Sequence, residues 1–338
     1  MVVLVTGVNG LVGLHCARIL LEKGCDVVGY DSNLSGELAY YPDVSQNVTL
    51  VRGHMADFSH LLETVEKHHV EHVVHLASLR DERLFRKAPV ELFRANIEGT
   101  QNILELARLG KVKRVVFASS AAVYGKQDDP YRLIPEDSLL DPKGIYANSK
   151  AMCESLCRAY RNVYGVEVFI LRPSRVYGRL AYLDTLEFGN PLSSFILKAL
   201  RGEPIHEKSG ADLGGDFTYA PDVAYGFYCA LAAPSPQNWI YNISCGEFYR
   251  LSEVARILSR LFKGLDISLG PGMEPHVSQS PIRGPLDIQR ARQEINFEIR
   301  YDLKGSIGHF TETVHRKLPD IGKGGQLNIA RRLPLTAS

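Results

Sequence analysis

Short apolar runs punctuate the first half of the chain. Val2–Val5, Val48–Val51, His72–Leu76, Arg114–Phe117 and Val166–Leu171 read as buried strands, and Val27 and Val28 begin another. Longer segments of helical period separate them. Leu11, Cys16, Ile19 and Leu20 keep one apolar face, with Arg18, Glu22 and Lys23 among the polar positions. Ser59–His68, Val90–Leu109 and Tyr146–Tyr164 carry the same period, and Gly24 and Gly110 stand where two of these helices would stop. Strand alternating with helix predicts an α/β fold, a doubly wound parallel sheet with helices on both faces.

From Arg172 the texture changes. Residues 178–221 hold many Gly and Pro around one clear helix, Pro191–Leu200. Asp222–Ala232 and Leu251–Phe262 read as helices, Trp239–Ile243 as a strand, and 264–285 as a long Gly-, Pro- and Ser-rich loop. The expected organisation is a core over 1–172, a smaller irregular lobe over 173–317 whose elements partly return to the sheet, and a tail over 318–338 that frays.

Composition adds exclusions. The 338 residues are 45% hydrophobic and 23% charged, with a net charge of +1, so there is no global basic field for nucleic acid or an anionic membrane. No apolar run is long enough to span a bilayer. The six cysteines show no Cys-x-x-Cys, and the chain starts directly on its first strand with no basic leader, which fits a reduced, cytoplasmic setting. His68, His69, His72 and His75 look like a metal cluster, but His72 and His75 are three apart on a strand and point to opposite faces. No metal is expected. Arg80–Arg94 is a run of mixed charge and reads as a solvated helix and loop.

The first thirty-one residues carry chemistry. Gly7, Gly10 and Gly13 form Gly-x-x-Gly-x-x-Gly between a strand and a helix, and Asp31 ends the next strand. A pyrophosphate must sit against backbone N–H groups at a helix N-terminus, and side chains on the turn would hold it off. Gly7, Asn9, Gly10, Leu11, Val12 and Gly13 are therefore candidate cofactor contacts, in a Rossmann-type unit. Asp31 can accept from both ribose hydroxyls and would repel a 2′-phosphate, so the cofactor read here is NAD rather than NADP.

Two further stretches follow. Tyr146 and Lys150 lie four apart on one helix face. A phenol with a reference pKa near ~10 is a poor base at neutral pH, and a nearby ammonium lowers that pKa. Lys150 could also reach the nicotinamide ribose. Ser119-Ser120-Ala121-Ala122-Val123-Tyr124-Gly125 places small hydroxyls at a strand's C-terminal end, where ligands bind in open α/β sheets.

Together these motifs resemble the extended short-chain dehydrogenase/reductase superfamily, in its NAD-dependent epimerase/dehydratase branch, from residue 1 to about residue 300. The resemblance implies that Tyr146 is the acid/base, that Lys150 orients it and the cofactor, and that Ser120 positions substrate, with Ser119 as the alternative. It also implies that Ala77, in His75-Leu76-Ala77-Ser78, runs along the cofactor and that Asn96 supports the site. Arg175 and Arg283 fall where the family contacts a substrate anion, with a surface role equally open for each. Dimerisation through the Val90–Leu109 and Ala147–Tyr164 helices is implied as well.

The chain departs from that pattern at three places. Gly53-His54-Met55 stands where the family has Gly-Asp-Ile near adenine, with Asp57 too far on to replace the acid readily. Arg175 replaces an asparagine before Val-Tyr-Gly, and Gly215 replaces the arginine of Arg-Asp-Phe. The leading expectation is a nucleotide-sugar epimerase. One alternative is a dehydrogenase or ketoreductase of a non-nucleotide alcohol, an acidic one included. Another is a non-catalytic NAD-sensing regulator, which would not need Tyr146, Lys150 or Ser120. A dehydratase is disfavoured, because Ser120-Ala121-Ala122 replaces the Thr-Asp-Glu of those enzymes.

Overall fold

The computed structural model describes residues 1–33, 36–80, 87–178, 191–273 and 283–318. Its strands in chain order are β1 (Val2–Thr6), β2 (Asp26–Asp31), β3 (Thr49–Arg52), β4 (His72–His75), β5 (Arg114–Ala118) and β6 (Val168–Pro173). Then come β7 (Val176–Tyr177), β8 (Ile205–Glu207), β9 (Gly214–Gly215), β10 (Thr218–Tyr219), β11 (Ile240–Ile243), β12 (Tyr249–Arg250) and β13 (Ile267–Leu269). Seven of them form one sheet in the order β11-β6-β5-β4-β1-β2-β3, and every neighbouring pair is parallel. The order reverses between β1 and β4, which opens a crevice at the carboxyl ends of those strands.

Both faces of the sheet are covered, as parallel strands require. Val3 and Val5 of β1 enter one buried cluster and Leu4 enters the other. The first cluster lies under helices Leu11–Glu22 and Ala220–Ala232. The second lies under Phe58–Lys67, Gly99–Arg108 and Gly144–Tyr164. Arg114, at the start of β5, donates to Leu231 O at 2.7 Å and Ala233 O at 2.6 Å, and so ties down the carbonyl end of the Ala220–Ala232 helix. β11 adds to the sheet beside β6.

Two features differ from the sequence expectation. The 264–285 stretch holds β13, which pairs with β8 in parallel; residues 274–282 lie outside the described ones. A helix over Leu303–Lys317 has no counterpart in that expectation. Gly305 and Gly308 interrupt its period, yet it buries Leu303, Ile307, Phe310 and Val314, and Asp302 caps it by accepting from Gly305 N. Of the expected mixed-charge run, residues 81–86 lie outside the description, as do residues 319–338 of the expected tail. Among the described residues, no helix is long and apolar enough to cross a membrane.

Candidate functional site

The glycines sit at the crevice for steric reasons. Gly7 has φ +69°, and a Cβ there would stand 2.8 Å from Ala77 N. A Cβ on Gly13 would collide with Gly7 O. Gly10 N donates to Gly7 O at 3.0 Å and caps the first helix. The turn is thus pressed onto the helix start, where the N–H groups of Leu11, Val12 and Gly13 have no intrahelical carbonyl to bind. This cradle, which any side chain would fill, fits a pyrophosphate.

Asp31 closes the cradle's far side. Its Oδ2 accepts from Asn9 N at 3.0 Å and its Oδ1 from Asn33 N at 3.1 Å. Burial raises its pKa, and the N–H groups of Asn33, Asn9 and Ser32 oppose that rise. The Asn9 side chain is spent elsewhere, accepting from Leu38 N and donating to Asn33 O, so its part in the cradle is its backbone. Ala77 N donates to Thr6 Oγ1 at 3.2 Å, beside Leu76 N at 3.1 Å. Thr6, a residue outside the sequence-based candidates, is what holds Ala77 against Gly7.

Asn96 lies in a π-turn, Arg94–Glu98, inside the helical run that starts at Pro89. Its amide accepts from Leu79 N at 2.8 Å and donates to Leu79 O and Ser149 Oγ. Ser149 Oγ in turn donates to Tyr146 O at 2.8 Å. Asn96 thus ties Leu79 to the Tyr146 helix, and its amide is taken up by these protein partners.

Tyr146 and Lys150 stand on the Gly144–Tyr164 helix, and Lys150 faces the end of β5. Lys150 Nζ donates to Ala118 O at 2.7 Å and lies 5.9 Å from the Tyr146 ring centroid. The next residue, Ser119, donates its hydroxyl to the buried Glu154 carboxylate. That bond separates the two serines. Ser119 is committed to the interior, while Ser120 caps a short turn over Ala121–Tyr124 and stays partly exposed beside the crevice.

Arg175 and Arg283 are partly buried rather than solvated. Arg283 Nε donates to Gly125 O at 2.8 Å, at the end of the Ser120 turn. Arg175 lies against Gly215. Burial lowers the pKa of Arg175, opposed by the charge of Asp216. Burial lowers that of Arg283 to about 10, with the charge of Arg175 adding to the effect. Both guanidinium groups are thus partly buried, and Arg175 is near enough for its charge to act on Arg283.

Just past β3, Gly53 leaves room for the Tyr30 phenol and the His60 ring, which hydrogen-bond each other at 3.2 Å. Asp57 caps the Phe58–Lys67 helix by accepting from His60 N at 3.0 Å, so that oxygen is spent on the helix. His54 is exposed, and its Nδ1 accepts from Ala56 N.

A family model described as the NAD dependent epimerase/dehydratase family matches residues 3–244. A UDP-N-acetyl-alpha-D-glucosaminuronate decarboxylase of Bacillus cytotoxicus is 30% identical over 76% of this chain and 79% of its own. A UDP-glucuronate 4-epimerase of Thermodesulfobacterium geofontis is 30% identical, over 76% and 80%. The solved Thermus thermophilus UDP-glucose 4-epimerase in complex with NAD superposes with a TM-score of 0.75 at 25% identity, over 93% of this chain and 98% of that one.

Proposed function

The chain belongs to the NAD-dependent epimerase/dehydratase family, and from that premise we propose that it epimerises a nucleotide sugar in the crevice between the glycine turn and Tyr146. The observation that carries the substrate class is the pair of arginines. Burial works against both charges, and Arg283 is further depressed by Arg175. Arg175 lies against Gly215 and Arg283 is held by Gly125 O, and an anion bound by both would offset the cost of burial and their mutual repulsion, a charge that a diphosphate supplies.

The remaining roles follow from position. Tyr146 takes the proton of a sugar hydroxyl, and Ser120 holds the same oxygen by a hydrogen bond. Lys150, fixed by Ala118 O, keeps a positive charge beside the Tyr146 ring. The backbone of the glycine turn and the Asp31 carboxylate hold the dinucleotide. NAD, when bound, supplies the acceptor for the hydrogen leaving the oxidised carbon. The arginines keep the nucleotide in place while the sugar turns over.

Met152, Val163 and Tyr164 on the Tyr146 helix, and Leu109 beside it, expose apolar surface. In this reading a second copy covers that surface, making a homodimer. The six cysteines are free thiols, five of them buried, which suits a cytoplasmic enzyme.

The test is incubation with UDP-glucose or UDP-glucuronate and catalytic NAD⁺. Conversion of many equivalents to the 4-epimer without net NADH supports the reading. NADH accumulating in step with product would replace it with a dehydrogenase. Release of CO₂ from the uronate would replace it with a decarboxylase, since a 4-keto uronate is a β-keto acid.

A further inference from the structure

We propose that the buried Glu154–Arg172 ion pair is a positioning device for the reaction, fixing Ser120 at the end of β5 relative to Tyr146 and Lys150 on the facing helix. Both residues are 2% exposed. Arg172 Nε donates to Glu154 Oε1 at 2.9 Å and Nη2 to Oε2 at 2.6 Å, a two-pronged contact. The third nitrogen, Nη1, donates to the Tyr124 hydroxyl and to Glu136 O, each at 2.8 Å. Tyr124 in turn donates to Asn242 Oδ1 at 2.8 Å. One ion pair thus joins the Tyr146 helix, β6, the Ser120 turn and β11.

Its target is a run of three residues. Ala118 O is held by Lys150, Ser119 Oγ by Glu154, and Ser120 follows directly. Ser120 Oγ accepts from Ala122 N at 3.1 Å, which leaves its O–H to donate towards the crevice. Tyr146, Lys150 and Glu154 are spaced four apart, so one helix face presents the acid/base, the cation and the anchor in sequence. Stability is a weak explanation for such a pair, because apolar residues of similar volume often serve a core as well. Apolar residues give no direction to a strand end, and the ion pair with its hydrogen bonds does.

The inference rests on proton transfer at Tyr146 with Ser120 holding the reacting oxygen, not on the nucleotide sugar. Arg172→Lys keeps a cation beside Glu154 but gives up the bonds to Tyr124 and Glu136. Glu154→Gln keeps an acceptor for Ser119 but removes the charge. In the folded variants kcat should fall at least about tenfold with KM within about threefold, because groups are misplaced rather than lost. Backbone amides of residues 119–125 in the NAD-bound protein should exchange at least about tenfold faster, with β1 and β2 unchanged. A kcat within about twofold of wild type would overturn the proposal. If wild type turns over no nucleotide sugar, the substrate assignment fails alone, and unchanged exchange at 119–125 then overturns the positioning role. Should neither charge variant fold, Tyr124→Phe, which removes only the hydroxyl linking Arg172 to Asn242, decides on the same readouts.

Discussion

Arg175 reaches from the end of β6 into the space that Gly215 leaves, with its Nε 2.5 Å from where a Cβ at position 215 would stand. In the sequence these are two separate departures from the family pattern, an asparagine become arginine and an arginine become glycine. In space the two positions meet. The Arg175 side chain occupies the room that the missing Cβ of Gly215 leaves.

That contact predicts a rescue. Gly215→Ala should push Arg175 aside and raise KM for a nucleotide sugar. Arg175→Asn should raise KM more than it lowers kcat, since a lost charge-assisted hydrogen bond is worth roughly 1.5–3 kcal/mol, or about 10- to 150-fold. The double variant Arg175→Asn/Gly215→Arg returns the arginine to the family's position and should recover most of the loss. A double variant no better than Arg175→Asn would show that the two positions do not exchange.

The sequence was legible where the constraint is local. The Gly7 turn, the capped first helix and the Tyr146–Lys150 face each need only neighbours a few residues apart. Ser120 was chosen over Ser119 by resemblance alone, because the partner that ties Ser119 to the interior, Glu154, lies 35 positions on. Arg175 and Gly215 are likewise distant in the chain and close in the fold. The Leu303–Lys317 helix is hidden in the sequence because its core face is read only once the fold is there to receive Phe310 and Val314. Short parallel pairs such as β8 with β13 have no local turn signal to announce them.

Tyr146→Phe removes the proton carrier and keeps the ring. Turnover should fall by about 10²–10⁴ while NAD affinity stays near wild type. Lys150→Met should damage both, because one ammonium serves the phenol and the cofactor. Calorimetric titration with NAD beside steady-state rates separates the two. Retained turnover in Tyr146→Phe, within about tenfold, would remove Tyr146 from the acid/base role.

Asp31 should make NAD bind at least about tenfold better than NADP, because the 2′-phosphate meets a carboxylate in a half-buried site. Asp31→Asn should narrow the ratio while leaving the Asn9 N–H a side-chain oxygen to bind. Equal dissociation constants for the two cofactors in wild type would refute the assignment.

The last prediction concerns acid. His75 is buried between Thr6 and Thr100, its Nδ1 2.7 Å from Thr6 Oγ1 and its Nε2 3.1 Å from Thr100 Oγ1. Thr100 already donates to Asn96 O, so it accepts from Nε2–H. Thr6 accepts from Leu76 N and Ala77 N, so it donates to Nδ1. The network has no place for a second ring proton. Burial, with Lys150 nearby, lowers the pKa from 6.5 to about 3. His15 is lowered to about 3 as well, by burial and then by Arg18. An unfolded chain binds these protons between pH 6.5 and pH 3 and the folded one does not, so stability is complete above 6.5 and drains as pH falls. Each histidine should contribute a loss of roughly 1.4 kcal/mol per pH unit in that window. Thermal melts from about pH 7.5 to about pH 5 should show Tm falling with acid, and His75→Gln should flatten the slope even where it lowers Tm at neutral pH. A His75→Gln slope as steep as wild type would mean that His75 takes up its proton without unfolding, and that the Thr6–His75–Thr100 chain can turn around.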